Sequence, residues 1–252
     1  TAGTILNRAG IQLGLGPAPA NDPYAAAATD PNWAQLCEFL NDRGSEFVHM
    51  FEWRQLVKEH TITTTQGQSV YPLPADFHDM IDQSGWNRSS RLPLRGPATS
   101  QEWQYLKARQ VGVTLHLVFR MAPMQIEFFP SLPAADQSVY FEYMSRQWVQ
   151  DAANSGNVNV TTGMPIADKE EATQVGDLVI FDGLLLMRAI KLQWRQAKGL
   201  DATQAQRDFD LTFERVCNSN VGSPILNLNG SRPVDRLLDA SNFPETNFGF
   251  PL

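Results

Sequence analysis

The sequence predicts an α+β fold: a four-helix bundle built from the N- and C-terminal parts, an inserted antiparallel β domain, and an extended C-terminal arm. Two changes of pattern carry this reading. Apolar residues recur at helical spacing behind cap signals before residue 60 and again after residue 176, whereas β-branched alternation and Pro- and Gly-containing turns prevail between them. After residue 217 both periods are lost although apolar side chains persist. The expected boundaries are 1–59 for the first half of the bundle, 60–165 for the β-rich insert, 166–217 for the second half and 218–252 for the arm.

Ile5, Ala9, Ile11 and Leu13 lie at near-helical spacing, and Gly14-Leu15-Gly16-Pro17 stops the first helix. Residues 16–29, rich in Pro, Ala and Asn, read as a connection. Asp30-Pro31 then supplies an N-cap and the proline favoured at the first helical position. The helix it opens carries Trp33, Leu36, Leu40, Phe47 and Phe51 on one stripe and is expected to run towards Lys58, with Gly44-Ser45 as a candidate kink.

From His60 to Thr65 the pattern is that of a strand, Gln66-Gly67 signals a turn, and Ser69-Val70-Tyr71 precedes Pro72 and Pro74. Further strands are expected at Met80–Ser84, Leu115–Arg120, Gln125–Phe129 and Ser138–Ser145, with a hairpin across Met121–Met124. A short helix at Gln101–Ala108 follows Thr99-Ser100-Gln101-Glu102, in which Thr and Glu three residues apart satisfy each other's backbone donors. Ala152–Gly163 reads as a loop or an added hairpin.

Helical pattern returns from Asp177 to Lys198, where Gly199 suits the left-handed position past a helix end. Asp201 caps a last helix to about Cys217, with Ala205, Phe209, Phe213 and Val216 on its apolar side. Asn218 to Leu252 is too irregular for a helix and too apolar for a solvated tail. Its burial of Ile225, Leu226, Leu237, Leu238, Phe243, Phe248 and Phe250 does not offset the entropy of ordering it alone, so it is expected to bind a partner surface.

Several function classes are excluded by what the chain lacks. The net charge is −7 and each of the four segments carries a small acidic excess, so there is no basic nucleic-acid-binding arm. Cys37 and Cys217 sit in helical patterns with no metal-ligand or redox spacing and read as free thiols. The apolar run Leu178–Leu192 is broken by Asp182, Arg188 and Lys191, and no membrane span or export signal is expected. There is no GxSxG, HExxH, P-loop or GxGxxG, and His49, His60, His78 and His116 have no acid or nucleophile at a recognisable spacing. No catalytic residue, cofactor or metal site is therefore assigned. Arg188, Lys191, Arg195 and Lys198, spaced 3, 4 and 3, form a cationic stripe along one helix face. It reads either as a solvated face favouring the helix C-terminus or as a contact for a neighbouring subunit's acids or a DNA backbone. Trp86, Trp103 and Trp148 are expected in the core, with use at an interface as the alternative.

The runs Ile5-Leu6-Asn7-Arg8-Ala9 with Leu13-Gly14, and Gln68-Ser69-Val70-Tyr71-Pro72-Leu73-Pro74-Ala75-Asp76-Phe77, lead a longer series. It continues through Trp86-Asn87-Arg88, Pro93-Leu94, Gly96-Pro97, Gln101-Glu102-Trp103, Ile126-Glu127-Phe128-Phe129-Pro130, Phe141-Glu142-Tyr143 and Lys198-Gly199-Leu200-Asp201. In this order, over roughly residues 1–215, the chain resembles the head-to-tail adaptor proteins of short-tailed bacteriophages, also called tail tubular protein A or head-completion proteins. The resemblance implies a virion protein at the head–tail junction, assembled from the host cytoplasm. It implies a dodecameric ring that joins the portal to the tail nozzle and lines the DNA exit channel without sequence-specific binding. Some of the wider class are credited with cell-wall hydrolysis, but no catalytic residue maps onto this chain. A peptidoglycan hydrolase and an assembly scaffold or chaperone are the alternatives.

Overall fold

The computed structural model describes residues 1–108, 116–130, 136–158 and 165–220. Three helices lead the chain: α1 (Ala2–Gln12), α2 (Pro23–Ala27) and α3 (Pro31–Met50). The strands β1 (Val57–Thr63), β2 (Val70–Pro72), β3 (Phe77–Met80), β4 (Trp86–Asn87) and β5 (Leu92–Pro93) precede a short helix, α4 (Ser100–Ala108). Then come β6 (Val118–Ala122), β7 (Gln125–Phe129), β8 (Ser138–Ser145) and β9 (Val149–Gln150). A short strand, β10 (Leu178–Val179), leads into α5 (Gly183–Ala197) and α6 (Thr203–Asn220). The fold is α+β, as the sequence predicts.

α5 is the hub of the helical layer, packed against α1, α3 and α6, while α2 packs on α3. Leu185, Leu186, Ala189 and Ile190 of α5 meet Leu6 of α1, Leu36, Leu40 and Phe47 of α3, and Phe209 of α6 in one core. Among the described residues the layer therefore holds five helices, one more than the four read from the sequence. The extra one, α2, exists because Asp22 Oδ1 accepts from the backbone N–H groups of Tyr24 and Ala25, with proline at the first helical position.

Other boundaries differ for identifiable reasons. α3 ends at Met50, not near Lys58: Phe51 is extended, and Trp53, 1% exposed, turns back to donate its indole N–H to the Phe47 carbonyl at 2.6 Å. Gly44 leaves α3 unbroken, and its missing side chain makes room for the Trp148 ring, which a Cβ would approach to 2.1 Å. α5 starts at Gly183 with Asp182 as its cap, not at Asp177, which is fully buried and bound elsewhere. The strand expected at Met80–Ser84 is β3, ending at Met80, followed by a turn in which Gln83 has φ 59°. Trp86 is 37% exposed, whereas Trp103 and Trp148 are buried as expected, Trp148 in the helical core.

β8 is the centre of a five-stranded antiparallel sheet. It pairs with β1 from Val57↔Met144 to Thr63↔Ser138, and β3 and β4 share its other edge, with β5 beyond β4. β2, β7 and β6 form a three-stranded sheet. The β6–β7 hairpin carries Arg120 opposite Glu127, paired at 2.6 Å, and turns at Pro123-Met124. Val139, Phe141 and Tyr143 alternate to one side of β8 and, with Ile62 of β1, meet Tyr71, Phe119, Ile126 and Phe128 of the second sheet in a separate core. β9 and β10 pair beside the helical core, and Val158 bridges to Pro165; of the segment expected as a loop or an added hairpin, residues 159–163 lie outside the described residues.

Candidate assembly surfaces

The cationic stripe of α5 divides on close inspection. Arg188 is engaged within the fold, its guanidinium donating to the Asp208 carbonyl at 2.9 Å and to the Thr212 hydroxyl, so it fastens α5 to α6. Arg195 donates to the Asp201 carbonyl at 3.1 Å. The Lys198 ammonium lies 4.5 Å from the centre of the Trp194 ring and reaches Asn32. Arg188, Lys191 and Arg195 line a groove of about 260 Å³ between α5 and the start of α6, next to Gln12 of α1. Three of the four cations thus border one polar groove, and Lys198 stands apart from it.

Two carboxylates, Asp76 half-buried and Asp177 fully buried, tie the loops to the scaffold. Asp76 accepts from Lys58 Nζ at 2.7 Å, Ser145 Oγ at 2.8 Å and Tyr143 OH at 3.0 Å. Burial opposes its charge, but the bonds from Lys58, Ser145 and Tyr143 outweigh it and hold the carboxyl below its usual range. Lys58 also reaches the Ala167 carbonyl at 3.1 Å, which joins β1 to the segment leading back to the helices. Asp177 accepts from the N–H groups of Thr173, Gln174 and Ala152 and pairs with Lys169 at 3.2 Å. Both arrangements consume their acceptors within the fold.

A cleft of about 700 Å³ lies where the end of α3 meets β3 and β8. Its apolar wall includes Val48, Phe51, Met80, Ile81 and Met144, and Met50 stands 44% exposed at the rim. His49 and His78 meet there edge-to-face with ring centres 4.4 Å apart. The side chain of Asn220, the last residue of α6, lines the same cleft; the residue is 8% exposed and its Nδ2 has no acceptor among the described residues. No spacing in the sequence announces this cleft, because α3, β3 and the end of α6 are brought together only by the fold. On the outer face of the large sheet, Trp86, Arg88 and Tyr140 border a shallower groove, with the Arg88 guanidinium 3.6 Å from the Tyr140 ring centre and paired to Glu59 at 2.7 Å. Such aromatic and arginine surfaces are the type that concentrates binding energy in interfaces. Ile225, Leu226, Leu237, Leu238, Phe243, Phe248 and Phe250 lie outside the described residues.

The SU10 adaptor protein family matches residues 1–225, which is nearly all of the chain before the distal part of the arm. The chain belongs to that family. No curated protein matches it. As an SU10 adaptor protein it is a structural component of the bacteriophage particle, an adaptor in tail assembly that acts with portal and tail proteins. The family is a structural and not an enzymatic one. Among the described residues of this adaptor no cluster of three or more His, Cys, Asp or Glu could hold a metal ion, and no helix is long and apolar enough to cross a membrane.

Proposed function

We propose that this adaptor assembles as a dodecameric ring between the portal and the tail nozzle and lines the channel through which the genome leaves. The observation that carries the reading is family membership over residues 1–225. Copies related by a fixed rotation close a ring when each uses two different surfaces. In this reading the units at 1–59 and 166–217 sit against the portal, the insert at 60–165 faces the nozzle, and the arm at 218–252 clasps the portal or a neighbouring copy.

Charge supports a conduit. The net charge of −7 provides no dense cationic wall to hold phosphates, so DNA slides past without sequence-specific binding. In this reading Lys191 and Arg195, which border the groove, meet a neighbour's acids or the passing DNA backbone, whereas Arg188 is held by both the Asp208 carbonyl and the Thr212 hydroxyl.

Electron microscopy of purified DNA-filled particles tests the assignment. Density for the chain below the portal, with rotational symmetry, is the expected result. Absence of the chain from finished particles marks a scaffold instead, and release of soluble sugar fragments from cell walls by the purified protein marks a hydrolase. Lys191→Glu with Arg195→Glu tests the stripe: weakened ring assembly or DNA retention is expected, and unchanged values of both would remove the stripe from the interface.

A further inference from the structure

The cleft at the end of α3 has an apolar wall, three methionines and an unsatisfied donor on Asn220, at the end of α6. We infer that the cleft seats the proximal part of the arm of its own chain, residues 224–228, leaving only the distal arm free for a partner. This goes beyond the ring reading and does not depend on it.

Proximity is the first argument. Asn220 already lines the cleft, so Leu226 and Leu228 are six and eight residues away and reach any part of it within a chain span of about 20–29 Å. A tethered segment binds at high effective concentration, so its own chain outcompetes another copy. The family match also runs past the end of α6 to residue 225.

Chemistry is the second. In an extended run of Ile225-Leu226-Asn227-Leu228-Asn229, Leu226 and Leu228 fall on one side, and Asn227 and Asn229 fall on the other together with Ile225. That pattern suits a surface with an apolar wall and a polar rim: Val48, Phe51, Ile81 and Met144 within, His49, Glu52 and Asp79 outside. Met50, Met80 and Met144 have unbranched, polarisable side chains that adapt to an incoming leucine. The buried Nδ2 of Asn220 requires an acceptor, and a peptide carbonyl of the seated segment provides one. A groove filled only by water would answer the amide but leave the apolar wall wet.

The test uses the full chain with methionine methyl groups labelled for NMR. Leu226→Asp with Leu228→Asp is compared with Asn227→Asp with Asn229→Asp, which adds the same charge to the same segment. The leucine pair is expected to shift the Met50, Met80 and Met144 methyl resonances, the asparagine pair to leave them in place, and Met121 and Met187 to stay fixed in both. Unmoved resonances, or equal movement by both pairs, overturn the inference. So does a wild-type spectrum in which the three cleft resonances change on dilution, because the occupant is then a second copy. Portal binding is a separate readout: its loss in the leucine pair with unchanged methyl resonances places the proximal arm on the partner and overturns the inference as well.

Discussion

Asp177 shows how much one side chain does when it is dry and fully bonded. It accepts three backbone N–H groups and an ammonium, and its own carbonyl receives the Ala2 N–H at 2.8 Å, so the start of α1 is anchored to the loop before α5. Asp177→Ala would leave those three backbone donors unpaired while Lys169 keeps Asp151 at 3.0 Å, and a loss of about 3 kcal/mol in denaturant unfolding is expected. At Gly44 two effects compete. Alanine is favoured in a helix by about 1 kcal/mol, but overpacking costs about 1–3 kcal/mol. The Trp148 ring that the new Cβ would strike is fully buried, so Gly44→Ala is expected to destabilise. Neither role is visible in the sequence: Asp177 sits at the edge of a helical pattern, and Trp148 is 104 residues from Gly44.

His78 in the cleft and His60 on β1 give a pH signature. Burial, then the neighbouring His49 and Arg146, hold His78 below its usual 6.5, against a smaller upward pull from Asp79; burial likewise depresses His60. The unfolded chain therefore binds more protons than the folded one just below pH 6.5, so stability falls as pH drops through that value towards the depressed ones. Denaturant midpoints should fall between pH 7 and pH 5, above the range in which Asp76 and Asp151 titrate, and His78→Gln should flatten that slope. An unchanged slope would contradict the burial of the ring.

Caps were the most legible signals among the elements. Thr99 and Glu102 exchange the expected bonds, with Thr99 N to Glu102 Oε2 at 2.8 Å and Glu102 N to Thr99 Oγ1 at 3.3 Å. Asp30 and Asp201 accept from N–H groups at the starts of α3 and α6, and Gly14 and Gly199 take φ 82° and 66° past helix ends. These succeed because a cap is a local bond between residues close in sequence. The features missed in the sequence depend on distant partners: α3 stops where Trp53 turns into the core, and β4 lies between β8 and β5, with β8 more than 50 residues away in the chain. The true cap of α5 makes a direct prediction. Asp182 Oδ1 accepts from Leu184 at 2.8 Å and Leu185 at 2.9 Å, so Asp182→Ala should cost about 0.5–2 kcal/mol in unfolding.

At the scale of the molecule the α+β class was legible because two hydrophobic periods occupy different stretches of the chain, and each supplies its own core. The candidate surfaces were legible only in part. The spacing of Arg188, Lys191 and Arg195 places them on one helix, but that Arg188 is spent on α6 follows from packing no pattern encodes. The cleft beneath α3 left no trace in the sequence, since its walls come from segments more than 20 residues apart. The central claim, a ring adaptor seated on the portal, is tested most directly by light scattering on the protein mixed with its portal ring. The account predicts that the portal gains the mass of a dodecamer of this chain. A portal whose mass is unchanged by an excess of the folded protein would contradict it.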